Sequence, residues 1–256
     1  MDKIVEEHVS PRWRRWLEER RLADFEAWWR LELADVDRPN YDRAGWSTVA
    51  SFETNGRRFF VKRQSDYLCR HLTSPLFAVP TARAEHRMID WCRRSGIPAL
   101  DEVYFGWRQS SGEQQAILVT EALTGFSCLS DLSTSAAGPT SSQRRALARS
   151  IGRAVAKLHR SGMRHSSLYP KHVFVRPTGD GWEVRFIDLE NTRPHFWHRG
   201  AKLRDLESLS RRSRGWSRAD KLRVLLAYFG KTRVDAGVRA AVARIRAGTR
   251  HKRRRR

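Results

Sequence analysis

The apolar residues near the start of the chain recur with helical spacing. Between residues 11 and 34 they are three or four positions apart, with Arg and Glu on the other face. This apolar set is Trp13, Trp16, Leu17, Phe25, Trp28 and Trp29. Ser10 and Pro11 are typical of an N-cap and a first helical residue. The pattern predicts one amphipathic helix over residues 11–34, closed by Pro39 and Asn40.

Two interpretations of this helix remain open from the sequence. The apolar face packs across the main domain, or it lies in a membrane interface, where Trp beside Arg is common. We favour packing on the domain.

The period changes to that of strands over residues 44–62. Two apolar runs flank Asn55-Gly56, a pair typical of tight hairpin turns. Lys62 ends the second strand, where an ammonium group could reach a nucleotide phosphate. The loop before the hairpin contains Gly45 and could cover phosphates with backbone N–H groups, although a single Gly is a weak signal.

A helix is predicted over residues 81–95, between Pro80 and Gly96. Glu85 lies on its apolar stripe with Met88, Ile89 and Cys92. Because an inward carboxylate is costly unless it is paired, we expect a cationic partner. Lys62 is our candidate, as in the Lys–Glu pair of kinases, and an Arg is the alternative.

The remaining pattern predicts strands at 102–107 and 116–120, a linker at 121–125 and a helix at 143–161. A polar loop is predicted at 133–142 and an irregular basic loop at 194–200. Further helices are predicted from 204, at 221–229 and at 236–245.

Residues 163–190 carry the densest chemistry. A polar loop leads into a strand at 173–175, a Pro/Gly turn, and a second strand that ends at 187–189. Adjacent antiparallel strands lie only about 5 Å apart, so this hairpin brings two histidines, His165 and His172, towards Asp188. The layout is typical of a phosphotransferase catalytic loop followed by a metal-binding Asp.

Composition limits the other classes of protein. The chain has 256 residues, 40% of them apolar, and no run of about 18 or more apolar residues that could span a membrane. It also shows no apolar signal region, so we expect a cytoplasmic protein. Three dispersed cysteines form neither a disulfide framework nor a zinc site.

Charge is the unusual property. Lys and Arg number 50 against 28 Asp and Glu, a net charge of +22. Such a chain is attracted to nucleic acid, anionic lipid or a phosphorylated glycolipid, although an Arg-rich composition can also reflect a GC-rich genome. Residues 250–256 are predicted to be a disordered basic tail that strengthens attachment to an anionic surface.

Six short motifs in a fixed order resemble the bacterial lipopolysaccharide core kinases, the family of Kdo and heptose kinases, and most closely its InaA-like branch. They span roughly residues 41–212. The motifs are FVKRQ at 60–64, LVTE at 118–121, LHR at 158–160, HSSLYPKHVF at 165–174, FIDLE at 186–190 and RDL at 204–206.

This resemblance implies an α+β, two-lobed protein-kinase-like fold with an extra N-terminal amphipathic helix. The implied division is an N-terminal helix at 1–40, an N-lobe at 41–125, a C-lobe at 126–249 and a tail at 250–256.

The resemblance also implies the cofactors ATP and Mg²⁺, with the nucleotide between the lobes. Lys62 would contact its phosphates, Glu85 would orient Lys62, and the linker around Glu121 and Leu123 would bind adenine through backbone groups. Asp188 would hold Mg²⁺. His172 falls where protein kinases have a second metal ligand, but imidazole suits Mg²⁺ poorly, so a structural or phosphate-binding role is the alternative.

The same resemblance implies that Asp205 braces the loop backbone. Ser167 occupies the position of the catalytic Asp of active sugar kinases, and Ser cannot act as a general base at neutral pH. The InaA-like branch also lacks an acid there. His165 or a substrate group could substitute.

Three functions follow from these observations. The first is an ATP-dependent kinase acting on a sugar hydroxyl of an anionic glycolipid, lipopolysaccharide core, at the inner membrane surface. The second is a nucleotide-binding pseudokinase with a regulatory or envelope-stress role. A nucleic-acid-binding protein is a distant third, because the basic residues are dispersed and form no known motif. The oligomeric state is open.

Overall fold

The computed structural model describes residues 3–42, 44–71, 74–132, 138–195 and 200–254. The chain separates into two compact units. The first comprises Met1–Trp91 with Leu100–Thr124, and the second comprises Cys92–Ala99 with Gly125–Arg256.

The first unit is built on a five-stranded antiparallel sheet. Its strands are β1 Lys3–Val9, β2 Trp46–Thr54, β3 Arg57–Ser65, β6 Glu102–Ser110 and β7 Glu113–Glu121. Across the sheet their order is β1-β6-β7-β3-β2. A separate hairpin, absent from our expectations, joins β4 Leu68–His71 to β5 Ser74–Pro80.

The hairpin of β2 and β3 turns at Asn55 and Gly56 as predicted. Both residues have positive φ, 50° and 72°, which Asn and Gly tolerate best. Strand β3 pairs with β2 on one side and β7 on the other, so Lys62 lies opposite Val49 and Leu118. Its backbone is therefore held on both sides.

The N-terminal segment is not the single helix that we predicted. Strand β1 comes first, followed by two short helices, α1 Arg14–Glu19 and α2 Phe25–Arg30. Arg21 has a φ of 54°, and the Leu22 N–H bonds the Leu17 carbonyl at 2.9 Å, which closes α1. Asp24 then caps α2 by accepting a hydrogen bond from the Ala27 N–H.

Apolar residues of this N-terminal segment contribute to the core of the first unit. Trp13, Leu17, Phe25 and Trp28 are buried, and Trp28 is fully inaccessible. They pack in one cluster with residues of the sheet, including Phe59, Val61, Val103, Tyr104, Ile117 and Val119. Packing of this segment on the domain, the interpretation that we favoured, is therefore confirmed, with Trp16 and Trp29 partly buried against the core.

The second unit is mostly helical. Its helices are α4 Leu129–Leu132, α5 Ser141–Arg160, α6 Ala201–Arg212, α7 Arg218–Phe229 and α8 Ala236–Arg254; helix α3, Thr81–Arg94, begins in the first unit and ends in the second. Short strands complete the unit: β8 Ser127–Cys128, β9 Met163–Arg164, β10 Val173–Thr178, β11 Gly181–Phe186 and β12 Arg193–Pro194. This mixed α and β architecture confirms the predicted fold class.

Three expectations about the second unit need correction or limits. The predicted disordered tail is wrong as far as Arg254, because α8 continues to that residue. Residues 133–137 and 196–199, in the two predicted loops, lie outside the described residues, as do 255 and 256 of the tail.

Within the described part of the chain, no helix is long and apolar enough to cross a membrane.

Helices α5 and α7 approach closely at Gly152. A Cβ added there would lie 2.4 Å from the Val224 carbonyl oxygen and 2.7 Å from the Ala227 Cβ. We predict that Gly152→Ala destabilises the protein by about 1–3 kcal/mol, because backbone atoms cannot yield without separating the helices. Urea unfolding is the measurement. Gly179→Ala, with no atom within 4 Å of the added Cβ, is the control, and equal unfolding free energies for the two variants would contradict this packing.

Candidate functional site

Lys62 and Glu85 form the predicted ion pair. The Lys62 Nζ lies 2.6 Å from the Glu85 Oε2. Strand β3 positions the lysine and the second turn of α3 positions the glutamate, whose side chain is only 5% exposed. The lysine partner explains how the Glu85 carboxylate can lie on the inward face of α3, because a buried anion needs a partner. Its role at a nucleotide stays a prediction.

Gln64 fixes the start of α3 against β3, a role that we did not predict. The side chain is fully buried. Its amide donates to the Thr81 and Ser47 hydroxyl groups at 2.7 and 3.1 Å, and its oxygen accepts from the Ala82 N–H at 2.8 Å. This satisfies one unpaired N–H of the helix terminus and sets the position of α3. Glu85 follows one turn later.

Gly45 is required by close packing. A Cβ at this position would lie 2.2 Å from the Ser65 carbonyl oxygen and 2.6 Å from that of Asp66. The glycine therefore allows its loop to pass against the end of β3. Arg43, in the same predicted phosphate loop, lies outside the described residues, and contact of Gly45 with phosphates stays a prediction.

The linker residue Glu121 is engaged within the first unit. Its N–H donates to the Asp101 carbonyl at 2.9 Å, and its carboxylate faces Arg57 and Arg12 at 3.1 and 3.6 Å. The Glu121 N–H is thus already bonded within the unit, and contact of the other backbone groups of this linker with adenine stays a prediction. Leu123 is half-buried just before the unit ends, and its adenine contact stays a prediction.

Asp205 braces the loop of the second unit in the way that the resemblance implies. Its side chain is 1% exposed and lies on α6. One carboxylate oxygen accepts from the His165 N–H at 2.7 Å, and the other accepts from the Ser166 N–H at 3.0 Å. The His159 Nε2–H also donates to the Asp205 carboxylate at 3.2 Å. Ser166 has a φ of 67°, a conformation that these bonds stabilise.

His165 links this loop to the segment before Asp188. The ring is fully buried, and its Nε2–H donates to the Ile187 carbonyl at 3.0 Å. Burial lowers the pKa of His165, so the imidazole is neutral. Because the ring has no access to solvent, we interpret His165 as a positioning residue, and the geometry disfavours our suggestion that it replaces the catalytic base.

Asp188 lies beside His172, just after β11. Its backbone is left-handed, with a φ of 59°, and its side chain is 32% exposed. The His172 Nδ1 lies 3.2 Å from the Asp188 carboxylate and 2.8 Å from the Ser167 carbonyl oxygen. Nδ1–H therefore points at two oxygens, which favours the positioning role of His172 over direct metal binding by that nitrogen.

Ser167 is half-buried, and its backbone carbonyl oxygen accepts two hydrogen bonds. Its carbonyl accepts hydrogen bonds from His172 Nδ1 and from the Tyr169 N–H, the latter at 2.7 Å. These bonds fix the Ser167 carbonyl within its loop. The equivalence of this position with the catalytic Asp of active sugar kinases stays a prediction from the resemblance.

Comparison with known proteins shows the family of the chain. The family model described as "Lipopolysaccharide kinase (Kdo/WaaP) family" matches residues 26–228. The protein InaA of Escherichia coli K12 is 31% identical over 209 residues, which cover 80% of this chain and 95% of InaA.

Two further comparisons concern WaaP. The lipopolysaccharide core heptose(I) kinase WaaP of Pseudomonas aeruginosa is 28% identical over 195 residues, which cover 69% of this chain and 71% of that protein. A solved structure titled "WaaP in complex with acyl carrier protein" superposes with a TM-score of 0.71 at 24% identity, covering 97% of this chain and 98% of that chain. The structural likeness confirms the kinase fold that the sequence predicted.

We predict that Asp205→Asn destabilises the protein by about 1–3 kcal/mol, because the amide NH₂ faces a backbone N–H that then has no acceptor. Hydrogen exchange should show faster exchange at the His165 and Ser166 amides, and urea unfolding should show the loss of stability. Asp180→Asn, in the exposed turn between β10 and β11, is the matched control. Unchanged exchange at both amides would show that Asp205 does not brace the loop.

Proposed function

Because the chain belongs to the lipopolysaccharide kinase (Kdo/WaaP) family, we propose that it transfers a phosphoryl group from ATP to a sugar hydroxyl of a cell-envelope glycolipid, lipopolysaccharide core. The observation that carries the proposal is the Lys62–Glu85 ion pair at 2.6 Å. A lysine held by a helical glutamate is the arrangement with which kinases bind nucleotide phosphates.

Each unit contains residues whose chemistry suits ATP or Mg²⁺. Lys62 would contact the phosphates, and Glu85 would hold the ammonium group in place. Asp188 offers a partly exposed carboxylate, the oxygen ligand that Mg²⁺ prefers. When bound, ATP with Mg²⁺ supplies the phosphoryl group and the cation that neutralises its charge. His172 keeps the Asp188 carboxylate oriented through Nδ1.

The absence of an acid at Ser167 does not exclude transfer. Phosphoryl transfer depends mainly on positioning and electrostatics, through a loose transition state. A missing general base costs about 10²–10⁴-fold in rate. We therefore propose slow but measurable transfer.

The charge of the chain supports an anionic acceptor at a membrane surface. A net charge of +22 favours phosphorylated sugars and anionic lipid headgroups. The attraction would come from basic residues, including those of the Arg-rich C-terminal helix α8. We propose that the protein acts on the cytoplasmic side, peripheral to the inner membrane.

A nucleotide-binding pseudokinase is the second candidate. The observation that favours it is Ser167 itself, since a serine hydroxyl cannot accept a proton at neutral pH. In this case the ion pair and Asp188 serve ATP binding alone. The family membership is shared by both candidates, so only a measurement of transfer separates them.

The test is transfer of labelled γ-phosphate from ATP to purified lipopolysaccharide core lacking phosphate, with the full chain in detergent micelles. We expect measurable transfer by the wild type, none by Asp188→Asn, and unchanged transfer by Asp180→Asn. Ser167→Asp should be at least about tenfold faster than the wild type, because it restores a proton acceptor.

The remaining outcomes decide between the candidates. ATP binding with no transfer by the wild type or by Ser167→Asp would favour the pseudokinase. Equal label incorporation by the wild type and Asp188→Asn would show that the incorporation is contamination and would contradict the proposed role of Asp188.

A further inference from the structure

Three residues that are distant in sequence meet within the first unit. His8 lies on β1, His86 on α3 and Glu102 at the start of β6. The His8 Nδ1 is 2.8 Å from the Glu102 Oε1, and the His86 Nδ1 is 2.8 Å from the Glu102 Oε2. Among the residues that the structure describes, these three form a group whose ligating atoms all lie within 4.8 Å of one another.

The group is chemically prepared to receive a cation. The Glu102 side chain is only 7% exposed, so its carboxylate is enclosed within the unit and faces the two imidazole rings. Both histidines direct the same ring atom, Nδ1, at this one carboxylate.

We propose that His8, His86 and Glu102 bind one divalent transition-metal ion of the Zn²⁺ class. Two imidazoles and one carboxylate suit Zn²⁺, Co²⁺ and Ni²⁺, whereas Mg²⁺ prefers oxygen alone. In a tetrahedral zinc site with bonds of about 2.0–2.2 Å, neighbouring ligand atoms lie roughly 3.3 Å apart. Both histidine–carboxylate separations are 2.8 Å and all the ligating atoms lie within 4.8 Å of one another, so shifts of about 0.5–1.5 Å would bring the three to the tetrahedral spacing.

The surroundings of His86 resemble the outer contacts of metal-ligating histidines. Its ring stacks on Phe105, with centroids 4.2 Å apart and planes within 6°. The far nitrogen, Nε2, lies 3.8 Å from the Glu6 carboxylate, which Arg83 and Arg87 hold at 2.6 Å each. A carboxylate that hydrogen-bonds the far nitrogen fixes a ligating histidine, and Glu6 would need to approach by about 0.5–1 Å to make that bond.

The site opens to solvent on the side of His8. That side chain is 39% exposed, whereas the other two ligands are 7% exposed. An ion can thus enter past His8, and a water molecule can complete the tetrahedron.

Occupancy would tie the edge strand β1 to α3 and β6. In the described sheet β1 is an edge strand whose neighbour is β6, so it lacks the second partner strand that β6, β7 and β3 have. His86 directly follows Glu85, and a bound ion would stabilise the helix that presents that carboxylate. The proposal stands on these contacts and does not depend on the kinase activity.

The test uses the tag-free full chain with Zn²⁺ in calorimetry and with Co²⁺ in visible spectroscopy. We expect a Zn²⁺ site in the wild type, with tetrahedral Co²⁺ bands and a raised melting temperature. His8→Asn and Glu102→Gln should lose that site or bind at least about tenfold more weakly. Val5→Thr, an exposed position on the same strand, should bind as the wild type does.

His8→Cys provides a rescue that a purely hydrogen-bonded triad would not show, because thiolate binds Zn²⁺. If Glu102→Gln fails to fold, His8→Asn and His8→Cys decide the question. No Zn²⁺ binding by the folded wild type, or equal affinity in the wild type and His8→Asn, would overturn the proposal.

Discussion

The buried carboxylate of Asp205 is the constraint on which the loop before Asp188 depends. It accepts hydrogen bonds from two consecutive backbone N–H groups, those of His165 and Ser166. A buried anion with these partners cannot leave its position without leaving two amides unsatisfied. His165 extends the constraint to the Ile187 carbonyl, one residue before Asp188. The second unit thus positions its candidate metal ligand from helix α6.

In the first unit, side-chain bonds likewise fix the position of one element against another. Gln64 holds the first turn of α3 against β3, and the ion pair of Lys62 and Glu85 joins the same two elements one turn later. Two adjacent bonds of different chemistry therefore fix one helix on one strand. This rigidity is what a phosphate-binding lysine requires, because an ammonium group on a flexible side chain loses entropy on binding unless it is already ordered.

Sequence patterns revealed the parts of this arrangement that rest on local periodicity. The Asn55-Gly56 turn and the inward position of Glu85 were predictable, because turn geometry and helical spacing are properties of a few neighbouring residues. Strand β1 was missed because its sequence, KIVEEHV, does not alternate and its partner strand lies about a hundred residues later. The break at Arg21 was missed because a non-glycine residue closes α1. Gln64 and the group around Glu102 act through tertiary contacts that no local pattern encodes.

The most direct test of the central claim is the affinity of the full chain for ATP, measured by calorimetry in Mg²⁺ and in EDTA. The account predicts that the wild type binds ATP at least roughly tenfold more tightly in Mg²⁺, and that Lys62→Met weakens binding by a similar factor under both conditions, the loss of one charge-assisted contact. Lys231→Met, at an exposed lysine just after α7, should bind as the wild type does. ATP affinity that is independent of both Mg²⁺ and Lys62 would contradict the account.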